Sequence, residues 1–121
     1  MRIAVPTDTA DGLDAMRSGH FGHCVYFTIV EVEDGAVKGV ETVKNVDHDA
    51  VGCGGVIEHA LGLNLDAIVV AGMGYPPYSR FTAGGVDVYI EQMSPTVGMV
   101  IDNYLRGSVA RMGEDQACRH H

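Results

Sequence analysis

The sequence predicts a three-layer α/β domain with a mostly parallel sheet. Two observations carry that class. From Asp66 to Gly107 short apolar runs alternate with helix-like segments, a pattern that yields parallel strands joined by right-handed crossovers. Upstream, Asp34-Gly35 separates two runs of period-two alternation, the strongest short-range signal for a hairpin. The hairpin adds one antiparallel strand. The 121 residues suit a single domain with its own core.

Taken in order, Met1–Pro6 reads as a short buried strand closed by proline. Thr7–Phe21 is polar, with weak helical potential near Leu13–Met16, and a loop of that length is commonly functional. Cys24–Glu33 is β-branched and aromatic, and Ala36–Val43 alternates, completing the hairpin. Asn45–Gly55 reads as a second glycine-rich loop, followed by a helix with Val56, Ile57, Ala60 and Leu61 on one face. Asp66–Ala71 is an apolar strand of the doubly covered kind. Gly72-Met73-Gly74 turns the chain, and Pro76 and Pro77 open a short helix ending at Gly84-Gly85. Val86–Ile90 is the fifth strand. Ser94 as N-cap and Pro95 as first helical residue predict a last helix buried through Val97, Val100, Ile101, Tyr104 and Leu105 and stopped at Gly107. Residues 108–121 show no core pattern and form a C-terminal tail to a domain of residues 1–107.

Composition narrows the function. Eight Lys plus Arg against sixteen Asp plus Glu give a formal charge of −8, which disfavours nucleic acid and anionic membranes. There is no apolar run of transmembrane length, and the apolar start is too short for a secretory leader. Three widely spaced cysteines do not make a disulfide framework and suit a reducing cytoplasm. The sequence holds no GxSxG, HExxH or phosphate-loop motif. A Cys–His nucleophile pair of Cys53 with His20 or His48 has no evident orienting group, so a non-enzymatic role is expected.

The chemistry should gather beyond the carboxyl ends of the parallel strands, where open α/β sheets bind ligands. With the first strand parallel to that of Asp66–Ala71, this rim receives the loop from Thr7 and the Gly72-Met73-Gly74 turn. The hairpin brings His20, His23 and Cys24 there at its start, and Asn45, His48 and Cys53 at its end. These thiol, thioether and imidazole donors suit copper, zinc, iron or sulfide clusters. No two cysteines have zinc-finger or ferredoxin spacing, so an open site is expected, helped by backbone N–H groups at Gly52, Gly54 and Gly55. Cys53, read at a helix N-terminus, should have a lowered thiol pKa.

Each of these residues also has a structural alternative. His20 can cap its loop, Cys24 can pack as a small hydrophobe, and Met73 can fill the core. Tyr75 and Tyr78 are expected to cover the core edge, His59 to be solvated, and Arg17 and Arg80 to be solvated or to serve an anionic ligand. The terminal Cys118, His120 and His121 have metal-ligand chemistry in a segment without packing pattern.

The same segments carry a family resemblance. RIAVPTD at the start, HFG-x-C-x-YF-x-IVEVEDG, an Asn–His–Gly loop, DAIVVAGMG, and VDVY before the last helix are similar to the dinitrogenase iron–molybdenum cofactor biosynthesis family. That family includes nitrogenase accessory proteins and the orange proteins of sulfate reducers. The resemblance spans Arg2 to about Gly107 and implies a ribonuclease-H-like domain with a five-stranded mixed sheet, one strand antiparallel. It also implies non-catalytic binding of a metal–sulfur cluster of iron–sulfur, iron–molybdenum or molybdenum–copper type, with His20 as a cofactor contact. Where the family often has HFGRC, this chain has His23, a metal donor in place of a permanent charge.

The reading is therefore a cytoplasmic carrier or scaffold for a metal–sulfur cluster or its precursor, exchanging it with cluster donor or acceptor proteins. Its contacts would be His20 and Cys53, with His23, Cys24 and the Gly52, Gly54, Gly72, Met73 and Gly74 segments in support. The alternatives are soft-metal binding by Cys118, His120 and His121, or a protein-interaction module without a ligand.

Overall fold

A computed structural model describes residues 1–19, 21, 24–46 and 48–113, the side chains of residues 48–53 excepted. The strands are β1 (Arg2–Thr7), β2 (Tyr26–Glu33), β3 (Ala36–Lys44), β4 (Ala67–Val70), β5 (Asp87–Ile90) and β6 (Ala110–Arg111). The helices are α1 (His48–Leu61), α2 (Tyr75–Ala83) and α3 (Val97–Leu105). The sheet order is β3-β2-β1-β4-β5-β6. β1, β4 and β5 are mutually parallel, whereas β2 runs against both β1 and β3 and β6 runs against β5.

Two apolar layers clamp the sheet. On one face Phe27, Ile29, Ile68, Val70 and Val88 pack with Val56, Ile57 and Ala60 of α1 and Phe81 of α2. On the other, Ile3, Val5, Val30 and Val69 pack with Val97, Val100 and Ile101 of α3. Alternation along each strand supplies both layers, as the pleat requires. The three-layer α/β architecture is as predicted. The hairpin turns through Asp34 (φ 54°) and Gly35 (φ 77°), the paired positive φ values of a two-residue hairpin loop.

The structure departs from the sequence reading in four places. The sheet has six strands rather than five, and two of them oppose β1. β6 lies in the stretch read as lacking a core pattern: it pairs with β5, Arg111 is ion-paired to Asp87, and Met112 is buried in the core. Two residues of strand are too short for alternation to register.

Helix α1 begins at His48, inside the segment read as a loop to Gly55. Glycine costs a helix up to about 1 kcal/mol each, which argued against it. Once Val56, Ile57 and Ala60 are buried, extending the helix backwards adds a hydrogen bond per residue.

Helix α3 begins at Val97 after Thr96, and no side-chain cap bond is made there. Ser94, read as its cap, serves a different network described below. Of the predicted α3 face, Val97, Val100 and Ile101 are buried, whereas Leu105 is exposed. Finally, His59 is half-buried rather than solvated, with Nε2 3.0 Å from the Lys44 carbonyl oxygen and its ring 6.2 Å from Phe27. It ties α1 to the end of β3.

Candidate functional site at the sheet rim

Register fixes what shares the rim. Thr7 at the end of β1 faces Tyr26 at the start of β2, and Tyr26 faces Lys44 at the end of β3. Val70 and Ile90, the last residues of β4 and β5, are also opposite one another. The loops after β1, β3, β4 and β5 and the entry to β2 therefore leave from one edge, as the sequence reading expected.

The long loop after β1 is stitched down by backbone bonds. Asp8 N–H donates to Met16 O (2.8 Å), Ser18 N–H to Pro6 O (2.8 Å) and Arg17 N–H to Pro95 O (3.1 Å). Short bridges join Thr7 with Arg17 and Met16 with Thr96, and a single 3-10 turn spans Gly12–Asp14. Phe21 inserts its ring between Phe27 (centroids 5.9 Å) and Phe81 (5.4 Å, edge on). The loop is thus anchored to the core by an aromatic side chain beside His20.

An ion pair between Arg17 and Glu91 holds the loop after β5. Arg17 Nη1 lies 3.1 Å from Glu91 Oε1, and both side chains are 7% exposed. The same carboxylate oxygen accepts N–H bonds from Met93 (2.6 Å) and Ser94 (3.0 Å), while Oε2 accepts from Asn103 Nδ2 (3.1 Å). Asn103 Nδ2 also reaches Ser94 Oγ at 3.0 Å. Burial pulls the Glu91 pKa upward, but bonds from the Ser94 side chain and amide, Asn103 and the Met93 amide outweigh it and hold the carboxyl at about 2. Burial lowers the Arg17 pKa against the pull of Glu91. Arg17 is not solvated, one of its two expected roles: it is a buried charge with a buried counterion.

Between these loops lies a cleft of about 370 Å³, lined by residues 16–19, Ala71 and residues 92–95. It sits at the carboxyl ends of β4 and β5, where this class of sheet takes its ligands.

The residues singled out in the sequence distribute as follows. Cys24 is 4% exposed within the core, and Asn45 Nδ2 donates to its carbonyl oxygen (3.0 Å) and to Sγ (3.4 Å). Burial pushes its thiol up to about 12, the Asn45 bond pulling only partly back. The side chain is therefore a neutral packed thiol, and the structure gives it the core role rather than that of a thiolate ligand. With Cys53 and Cys118 replaced by serine, the folded protein should react with iodoacetamide at pH 8 roughly a thousandfold more slowly than a free thiol. Rapid labelling there would contradict this environment.

Met73 packs in the core, between an exposed Gly72 and a half-buried Gly74 at the rim. Tyr75 and Tyr78 pack against the core edge. Arg80 approaches Glu58 (3.7 Å) and stands 3.9 Å from the position a Gly54 side chain would take. Cys53 is the sixth residue of α1, so it does not stand at a helix N-terminus as the sequence reading had it. The side chains of His48 and Cys53, together with His20, His23, Cys118, His120 and His121, lie outside the described residues.

Among the described residues no three His, Cys, Asp or Glu side chains come together to hold a metal ion, and no helix is long and apolar enough to cross a membrane. Sequence reasoning missed Glu91 and Asn103. Nothing local marks them, because Glu91 finds Arg17 at a separation of 74 residues.

The layers, the strand order and the loop-built rim define a three-layer α/β domain with a six-stranded mixed sheet. The family model described as dinitrogenase iron-molybdenum cofactor matches residues 1–107, and the chain belongs to that family. It is 32% identical over 113 residues to the uncharacterized protein MJ0580 of Methanocaldococcus jannaschii, covering 92% of this chain and 91% of that protein. The fold is shared with the crystal structure of PH0822 (TM-score 0.78, 25% identity, 93% of this chain and 96% of that one). It is shared also with the apo form of the orange protein from Desulfovibrio gigas (TM-score 0.80, 23% identity, 93% and 92%).

Proposed function

We propose that this protein binds and carries a metal–sulfur cluster, or a precursor of one, without transforming it. Family membership supports the class of cargo, and one structural observation supports the place. The Thr7–Tyr26–Lys44 and Val70–Ile90 registers put the exits of β1, β3, β4 and β5 and the entry to β2 on one edge, the edge on which this reading relies. His20, His23 and Cys53 are the proposed soft donors, with the glycine segments giving close backbone approach. Cys24 is left out because its thiol is uncharged and packed. The cluster or its precursor is cargo, passed between donor and acceptor proteins in a reducing cytoplasm.

The donor set among the described residues suits such an open grip. It includes a buried guanidinium at the rim whose Nε and Nη2 have no hydrogen-bond partner among the described residues. An anionic cluster is matched by such donors.

The test is elemental analysis with a visible spectrum of protein purified without oxygen from its native host. Molybdenum, iron or copper near stoichiometry, with sulfide-to-metal bands lost in His20→Ala or Cys53→Ser, is the expected result. Metal that disappears only on removing residues 118–121 would move the function to Cys118, His120 and His121. A colourless protein that also refuses reconstitution would overturn the carrier reading and leave a ligand-free interaction module.

A further inference from the structure

We infer that the cleft lined by residues 16–19, Ala71 and 92–95 is a receptor for a small tetrahedral oxyanion, anchored by Arg17. The inference rests on the rim reading for its place in the fold and adds the chemistry of what enters. In a protein of formal charge −8, the one ionisable side chain among the described lining residues is a cation.

The guanidinium is only half used. Its Nη1 donates to Glu91 Oε1 (3.1 Å) and is 3.4 Å from Ser94 O. Its Nε and Nη2 are buried and have no hydrogen-bond partner among the described residues. Buried donors without partners are rare and unfavourable. Those two atoms form the side-on edge of the guanidinium, whose parallel N–H groups match two oxygens of one phosphate-like or carboxylate group.

Glu91 does not compete for that edge. Its oxygens are filled by Met93 N–H, Ser94 N–H, Asn103 and Arg17 Nη1. It therefore fixes the guanidinium through Nη1 and leaves the Nε–Nη2 edge without a partner among the described residues. Away from bulk water, such bonds are not diluted by solvent. Met16 and Met93 both line the cleft and are exposed. Unbranched thioethers repack readily, which gives an anion a way in and a polarisable wall once there. A tetrahedral anion keeps further oxygens free after two have met the edge, whereas a carboxylate has none left.

The experiment is a titration of the ¹⁵N-labelled full chain with sodium phosphate, sodium molybdate and sodium acetate at constant ionic strength. Saturable amide shifts confined to Ser18, Gly19, Gln92 and Met93 are expected with phosphate and molybdate, and weaker ones with acetate. Arg17→Lys keeps the charge beside Glu91 but lacks the side-on edge. Its half-saturation concentration should rise about tenfold or more while its amide spectrum stays folded. Shifts spread over the surface, no saturation with any of the three anions, or wild-type affinity in Arg17→Lys would each overturn the proposal. The outcome is separable from cluster carriage. Protein that reconstitutes its colour yet shows no anion shift sinks this inference alone. Saturable anion binding in a protein that refuses metal supports this inference while the carrier reading falls.

Discussion

Glu91→Gln lowers the unfolding free energy by about 3–5 kcal/mol, the range for stripping a buried charge of its partner. The cause is what remains behind. Arg17 is 7% exposed, two of its nitrogens already lack partners, and the substitution removes the charge that justifies its burial. Against the roughly 5–15 kcal/mol that holds a domain together, this is a large fraction. Urea denaturation at pH 7 checks it, and a loss under 1 kcal/mol would show that the pair is dispensable.

The same carboxylate gives the protein an acid limb. Its folded pKa of about 2 lies below the ordinary 4.5, so the native state prefers the ionised form. That stabilisation is complete above about pH 4.5 and is lost as pH falls from there towards 2. The shift is worth on the order of 3 kcal/mol. Wild-type stability should fall steeply across that interval, and Glu91→Gln should show a shallower decline. Parallel pH profiles would refute the assignment.

Phe81→Ala is expected to cost about 3–5 kcal/mol, as for other fully buried aromatics. Phe81 is fully buried and meets the edge of Phe21, so the variant also removes the seat of the rim loop. Two readouts separate the effects. Thermal unfolding reports the cavity, while amide exchange at Ser18 and Gly19 reports the loop. Protection at those amides should fall by more than global destabilisation explains. Equal loss throughout would show that Phe21 holds its place without Phe81.

Much of this architecture was legible along the chain. Asp34-Gly35 marked its hairpin because a two-residue turn needs positive φ at both positions. Alternation marked β2, and short apolar runs marked β1 and β4, because burial on both faces leaves few polar positions. The rim followed from strand direction alone.

Other features were illegible for particular reasons. Residues Gly52, Gly54 and Gly55 argued for a loop, yet α1 runs through them. Their intrinsic cost is small beside the burial of Val56, Ile57 and Ala60, which lie further along the same helix. Ser94 and Pro95 spelled a helix start, but Glu91 captures the Met93 and Ser94 amides and Arg17 takes the Pro95 carbonyl, so α3 begins later. β6 exists because β5 offers it an edge.

What the sequence by itself determined is the order of elements, the two apolar faces and the edge where the loops meet. These depend on local period and on strand direction, both carried by neighbouring residues. What only the tertiary structure decided is the chemistry at that edge. It turned Arg17 from a surface cation into a buried one with a free hydrogen-bonding edge, and Cys24 from a candidate ligand into a neutral packed thiol. Both outcomes depend on desolvation by segments distant in the chain, and that of Arg17 also on Glu91, which no local pattern encodes.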